Sequence, residues 1–305
     1  MIYTVTLNPA LDYFMAYDQI EVGEVNRTKI TRITPGGKGI MESRMLSLLG
    51  TPNTALGFIG GFTGKAIQES LAAQGITTEF TQIFGQSRVN VKVKTLETET
   101  SLDAAGPDLT EEDVRNFVKT FDRLTSEDIV VFAGTAPKSL GDSFYEQLIK
   151  LVKLQDANFA IDVDGQKLLG TLSKKPLVIK PNREELEEMF DVKFETKEDI
   201  IPYGQKMLEM GAQNVMVSMA GDGALLFSDT SVYFAAPVKG IIKNSVGAGD
   251  STVAGFLSEW SKSKDPVKAF KQGVACGTAK VFSEDMPSSS YLQKCLQQIE
   301  ITKLV

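Results

Sequence analysis

Two short glycine-rich stretches, each running into a segment with helical spacing, hold the residues best suited to chemistry in this chain. The first is Pro35-Gly36-Gly37-Lys38-Gly39, followed by Ile40 to Leu49 with apolar residues at 41, 45, 48 and 49. Its spacing predicts a glycine loop that opens a helix. Glycines let a backbone approach a ligand closely, a helix N-terminus favours anions, and Lys38 adds a point charge suited to a phosphate. A tight turn carrying a surface lysine accounts for the same residues equally well. The stretch is not a Walker A loop, because no Gly-x-x-x-x-Gly-Lys-Ser/Thr occurs, and Gly64-Lys65-Ala66 lacks both the first glycine and the hydroxyl.

The second stretch is Asn244-Ser245-Val246-Gly247-Ala248-Gly249-Asp250-Ser251-Thr252. Gly247, Ala248 and Gly249 can turn consecutive N–H groups toward one point, a nest for an anion, and Asp250 falls in the first turn of the helix that follows. An acceptor carboxylate beside such a nest is what phosphoryl transfer needs, a base for the attacking hydroxyl and donors for the charge on the transferred group. Most Asp residues at such positions only cap a helix or meet its dipole, and that reading stays open.

Two further segments follow strand-like runs. In Lys180-Pro181-Asn182-Arg183-Glu184-Glu185, Asn182 and Glu185 are three apart and share one side of a helix start. They suit either Mg²⁺, held through its waters, or a capping box. Ser218-Met219-Ala220-Gly221-Asp222-Gly223-Ala224 lies between two strand runs and suits either a backbone wall for nucleotide phosphates or a plain hairpin turn.

The composition narrows the options. The chain has 305 residues, net charge −7, 42% hydrophobic and 23% charged residues, two cysteines and no histidine. Ser-His-Asp and Cys-His catalysis and imidazole metal sites are therefore excluded, and proton transfer must use carboxylates, lysine, tyrosine or cysteine. Scattered Lys and Arg in an acidic chain offer no footprint for nucleic acid or an anionic membrane, so a small-molecule partner is expected. Met1 to Leu11 has no signal-peptide character and no apolar run approaches the roughly 18 residues of a spanning helix, so the expected location is cytoplasmic. Cys276 and Cys295 read as packing thiols.

Strand signals recur at Ile2 to Leu7, Thr54 to Phe58, Ile129 to Phe132, Phe159 to Val163, Leu177 to Ile179 and Val215 to Ser218. Most are followed by helical spacing such as Leu186, Met189, Phe190 or Val253, Leu257, Trp260. The alternation predicts an α/β fold with a mainly parallel sheet covered on both faces, and ligands at the carboxyl ends of its strands. Tyr13 to Thr34 and Arg88 to Thr100 break the rhythm. Val89, Val91 and Val93 alternate with Asn90, Lys92 and Lys94, which predicts half-exposed strands, not followed by helices, in a small inserted sheet. One domain over 1–305, with a lid from about 12–35 and 88–104, is expected. Unpaired edges in such a lid point to a homodimer.

Together these residues resemble the PfkB family of carbohydrate kinases, within the ribokinase-like fold, over almost the whole chain. The amino-terminal signature is similar to Gly36-Gly37-Lys38-Gly39 with Ser43-Arg44, and the carboxy-terminal one to Val246-Gly247-Ala248-Gly249-Asp250-Ser251. Thr6-Leu7-Asn8-Pro9 with Asp12, Asn26-Arg27, Gly57 to Gly61, Lys180-Pro181-Asn182 with Glu185, and Ala275 to Ala279 also match. Asn8-Pro9 through Asp12, Arg88 to Lys92 and the Ala105-Gly106-Pro107 turn most resemble the bacterial branch that acts on fructose 1-phosphate, with tagatose-6-phosphate kinases next.

The resemblance implies a three-layer α/β/α core with a β-sheet lid, and transfer of phosphate from ATP to the 6-hydroxyl of D-fructose 1-phosphate, giving fructose 1,6-bisphosphate and ADP. It implies Asp250 as base and Gly247, Ala248 and Gly249 as the anion hole. Asp12 with Gly36 and Gly37 would hold sugar hydroxyls, and Lys38, Arg88 and Arg27, with Asn90 alongside, would serve the phosphosugar. Lys180, Asn182, Ser218, Gly221, Gly223 and Gly277 would serve ATP, with Asn182 and Glu185 organising Mg²⁺. Where the family has Asn-Val, this chain has Met41-Glu42. That departure predicts altered sugar recognition and a negative charge near the anionic substrate. The alternative of another class is a sugar-phosphate sensor without turnover, which would have no need of a base at Asp250. No Gly-x-Gly-x-x-Gly follows the first strand, which sets aside a dinucleotide-binding enzyme.

Overall fold

The computed structural model describes residues 1–141, 143–163 and 165–305. The amino-terminal half contains β1 (Ile2–Thr6), β2 (Ala10–Ala16), β3 (Ile30–Gly36), α1 (Lys38–Leu48), β4 (Asn53–Ile59), α2 (Gly61–Ala73), β5 (Thr77–Gln82), β6 (Arg88–Lys94), β7 (Glu99–Leu102) and α3 (Glu111–Val118). There follow β8 (Ile129–Ala133), α4 (Phe144–Leu154), β9 (Asn158–Asp162), α5 (Gly165–Thr171), α6 (Arg183–Phe190) and α7 (Lys197–Glu209). The chain continues with β10 (Asn214–Ser218), β11 (Ala224–Ser228), β12 (Ser231–Ala235), α8 (Ala248–Ser263), α9 (Pro266–Val281), α10 (Ser289–Gln298) and β13 (Ile301–Lys303).

Five parallel strands in the order β5-β4-β1-β8-β9 form the centre of the main sheet. Single bridges from Ile161 to Ile179 and from Ile179 to Val215 carry it into the antiparallel run β10-β11-β12-β13. The expected strand Leu177 to Ile179 runs between β9 and β10: Leu177 N–H donates to Phe159 O at 2.7 Å, Ile161 N–H donates to Val178 O at 3.4 Å, and Ile179 bridges to both neighbours before the chain turns at Pro181 toward α6. The central strands bury both faces. In β8, Val130 and Phe132 pack with Phe117, Phe121 and Phe159 on one side, while Ile129 and Val131 pack with Met45, Leu46 and Phe256 on the other. Two cores on opposite faces of one sheet are the physical content of a three-layer α/β/α arrangement.

On the second face α8 and α9 approach closely because glycines face the contact. A Cβ on Gly255 would lie 2.7 Å from Cys276 Sγ, and one on Gly277 would strike Thr252 Oγ1. Cys276 and Cys295 are buried free thiols, and burial pushes the Cys276 thiol up to about 12, so both are packing residues as expected.

A second sheet, β3-β2-β6-β7, stands apart from the first. The expectation that its strands are not followed by helices fails at β3, where only Gly37, at φ +124°, separates the strand from α1. Pro35 and Gly36 are strand residues, so the glycine stretch is a strand-to-helix turn and not a loop. The valine alternation of β6 is inverted at its base. Asn90 is 5% exposed, whereas Val89 is 38% exposed. Register places Ile33, Tyr13, Val91 and Leu102 in one row, with Ile33 and Leu102 exposed, and Thr34, Asp12 and Asn90 in a row on the opposite face. The polar face is therefore the partly covered one at this end of the sheet.

Candidate active site

Four chain segments converge at the carboxyl ends of the central strands: the starts of α1 and α8, the end of β9, and the stretch after Ile179. Asp250 lies in the first turn of α8, as its spacing predicts. Gly247 caps that helix at φ +80°, a conformation open to glycine at no steric cost. The expected nest of three N–H groups is smaller by one. The Ala248 N–H turns back to Ser245 O at 3.1 Å, which leaves Gly247 and Gly249 as donors without an acceptor among the described residues.

Lys180 packs against this turn. A Cβ on Gly249 would lie 2.7 Å from Lys180 Nζ, so glycine is what lets the ammonium group reach the helix start. Lys38, the first residue of α1, places its Nζ 3.4 Å from Asp162 Oδ1. Withdrawal from water and the neighbouring Asp162 carboxylate push Asp250 up to about 7, against the opposing pull of Lys38 and Lys180. Asp162 is a participant that the motifs did not identify. It is 6% exposed with Oδ2 lacking a hydrogen-bond partner, and its only sequence signal is a carboxylate at the end of a buried parallel strand.

Glu42 sits deeper still. Its full burial beside Asp162 and Asp250 pushes its carboxyl well above the ordinary range, which works against the negative charge expected there. Met41 is half-buried and lies against the Asp250 turn, since a Cβ on Gly247 would be 2.9 Å from Met41 Cγ. It therefore belongs to the rim of the site and not to the core that buries Met45 and Leu46.

Opposite this floor, Asp12 on β2 has its carboxylate against the Gly36 backbone and accepts from Asn90 Nδ2 at 2.9 Å. Asn90 accepts in turn from the Ala104 N–H at 3.3 Å, so it orients Asp12. Burial raises the Asp12 carboxyl, with the Asn90 hydrogen bond acting in the other direction. Arg88 is held by Asn8 O at 3.1 Å through Nε and by Ala104 O at 3.2 Å through Nη1. It borders an open depression of about 630 Å³ lined also by Thr63, Ser87, Gly106 and Pro107. Arg27 is exposed and lines a second depression of about 550 Å³ with Tyr17, Lys29 and Lys94.

On the far side, Asn182 and Glu185 form the capping box that their spacing allows: Glu185 N–H donates to Asn182 Oδ1 at 2.7 Å and Asn182 N–H to Glu185 Oε2 at 2.8 Å. Among the described residues Glu185 Oε1 has no such bond, so the pair can still accept from water on a metal ion. Asn182 bridges to Ser218, which brings the two segments side by side. The Ser218 to Ala224 segment is the turn between the antiparallel strands β10 and β11, and Arg183 Nη2 donates to Asp222 Oδ2 at 2.8 Å across to it. Gly277 is buried against α8, where a Cβ would strike Thr252 Oγ1.

A carboxylate poised near neutrality, free N–H donors and two ammonium groups can take a proton from a hydroxyl and hold charge on the group it attacks. On an α/β sheet with a lid, these features define a phosphotransferase. The pattern of the pfkB family carbohydrate kinases matches residues 5–290, and the chain belongs to that family. It is an ATP-dependent carbohydrate kinase with the ribokinase-like architecture expected. The chain is 44% identical to the 1-phosphofructokinase of Bacillus subtilis over 304 residues, covering 100% of both, and 33% identical to the D-tagatose-1-phosphate kinase of Bacillus licheniformis, again covering 100% of both. Phosphofructokinase-2 from Escherichia coli, solved in complex with fructose-6-phosphate, superposes with a TM-score of 0.90 at 26% identity over 97% of this chain and 98% of that one.

Proposed function

We propose that the chain transfers the γ-phosphate of ATP to the 6-hydroxyl of D-fructose 1-phosphate. The single observation that carries the reading is Asp250 with its donors and lysines, among them Lys38, which lies two residues after the Gly36 backbone that Asp12 meets. In this reading Asp12 binds sugar hydroxyls, and Arg88 and Lys38 meet the 1-phosphate. Asp250 accepts the 6-hydroxyl proton as the sugar oxygen attacks, while Gly247 and Gly249 N–H receive the charge of the transferring group. Lys180, Asn182, Ser218, Gly221 and Gly223 line the ATP phosphates. Asn182 and Glu185 hold Mg²⁺ through water, and the ion, when bound, neutralises phosphate charge.

The 44% identity to a 1-phosphofructokinase supports fructose 1-phosphate, and the likeness to a D-tagatose-1-phosphate kinase makes tagatose phosphates the second reading. Coupled measurement of ADP formation with fructose 1-phosphate, fructose 6-phosphate, tagatose 1-phosphate and tagatose 6-phosphate tests it. The highest kcat/KM is expected for fructose 1-phosphate. Preference for a tagatose phosphate overturns the substrate, and binding without ADP from any of them identifies a sensor.

Met41 sets one expected departure. A thioether beside Gly247 leaves a sugar hydroxyl without the hydrogen bond that an amide would supply, at a cost of about 1 to 3 kcal/mol. Met41→Asn is expected to raise kcat/KM for fructose 1-phosphate by up to about two orders of magnitude at unchanged stability. A lower melting temperature without gain in activity would instead make Met41 a packing residue.

The exposed row Ile33 and Leu102 on the outer lid face supports a homodimer through the lid, which sedimentation of the purified chain would test. Among the described residues no helix is long and apolar enough to cross a membrane, which supports the proposed cytoplasmic location.

A further inference from the structure

Glu42 takes no part in the reaction outlined above, yet it is fully buried, and neither of its carboxyl oxygens has a hydrogen-bond partner. It stands one helical turn beyond Lys38, so both project from one face of α1. Charged groups surround it from every side of the site: Lys38 on its own helix, Asp162 at the end of β9, Lys180 after the Ile179 bridge and Asp250 on α8. Behind Asp250, Lys280 on α9 is 1% exposed with Nζ lacking a hydrogen bond, and Arg44 is engaged by Asp285 and Gln74.

Glu42, Asp162 and Asp250 face Lys38 and Lys180, so ionisation of Glu42 adds negative charge where two other acids already stand. A buried carboxylate without donors is costly, so an ionised Glu42 must recruit a cation, and the cations within electrostatic reach are Lys38 and Lys180. Those are the two ammonium groups at the Asp250 turn.

We propose that Glu42 is a proton-operated determinant of affinity for phosphorylated substrates, a property that rests on the kinase reading. Neutral, Glu42 makes no demand on Lys38 or Lys180. After losing its proton to solvent it draws an ammonium group toward itself and repels those phosphates. It is a positioning residue, acting through the lysines and not on the reacting atoms.

Glu42→Gln keeps the shape and removes the ionisation. In wild type, KM for both ATP and the phosphosugar is expected to rise with pH, approaching about tenfold per unit above the Glu42 inflection. In Glu42→Gln both stay flat within about twofold, while the acid limb of kcat set by Asp250 remains. Parallel KM profiles in the two proteins overturn the proposal.

Stability supplies an independent readout. A carboxyl raised in the folded state binds more protons folded than unfolded, so it stabilises fully below the unfolded value and loses that contribution as pH rises toward the folded one. The melting temperature of wild type is therefore expected to fall relative to Glu42→Gln over that range, and equal slopes would count against the idea. Should Glu42→Gln fail to fold, calorimetry of wild type with a non-hydrolysable ATP analogue, in buffers of different ionisation enthalpy, reads proton uptake on binding at alkaline pH. Uptake supports the proposal and its absence overturns it. Because that experiment needs no turnover, failure of the kinase reading, seen as no ADP from any phosphosugar, remains distinct from failure of this one.

Discussion

Asp250→Asn is expected to lower kcat by about 10²- to 10⁴-fold with the melting temperature held or raised. The amide preserves shape and loses the acceptor charge, and it relieves the repulsion between Asp250 and Asp162 that burial intensifies. The wild-type pH profile carries a second signature of the same group. A base poised at about 7 is active only when ionised, so kcat is expected to fall roughly tenfold per pH unit below that value. Steady-state assays between pH 5 and pH 8, on the order of one point per half unit, check both. A variant that keeps kcat within a few fold, or a wild-type profile without an acid limb, removes Asp250 from the role of base.

Arg88→Ala is expected to raise KM for the phosphosugar by about tenfold to a hundredfold, the loss of a charged hydrogen bond worth about 1.5 to 3 kcal/mol, with KM for ATP nearly unchanged. Lys38→Ala should share the rise in KM but differ in one respect. The Lys38 ammonium holds the Asp250 carboxyl down, so its removal should move the acid limb of kcat to higher pH. Arg88→Ala should leave that limb in place. Paired KM measurements on the phosphosugar and its unphosphorylated sugar settle the assignment: equal losses toward both would mean that neither side chain recognises phosphate. Because Arg88 also braces Asn8 O and Ala104 O, Arg88→Lys provides the control in which charge is kept and the brace is lost.

The helix starts were legible because local chemistry determines them. Asp250 three residues after Gly247, and the Asn182–Glu185 pair, occupy the positions that their spacing predicts, since first-turn geometry depends on neighbours in the chain alone. The inverted β6 was not legible. Periodicity says that Val89 and Asn90 face opposite ways, but not which way the sheet is turned, and it is the Asp12 and Ala104 partners that turn Asn90 inward. Gly277 makes a related point: a glycine serves a ligand or a neighbouring helix equally well, and its close approach to Thr252 on α8 is visible only in the folded chain.

By itself, then, the order of residues determined the alternation of strands and helices, the acid in the first turn of α8 in a chain without histidine, and the glycine turns that open α1 and α8, all consequences of backbone sterics and side-chain chemistry acting over a few residues. Tertiary structure alone decided which charges share the site. Asp162 and Lys180 reach Asp250 from distant segments, Arg27 lines a separate depression, and burial pushes the Glu42 carboxyl well above the ordinary range. The physical reason is that electrostatic energy depends on separation and on access to water, and both are set by folding rather than by position along the chain.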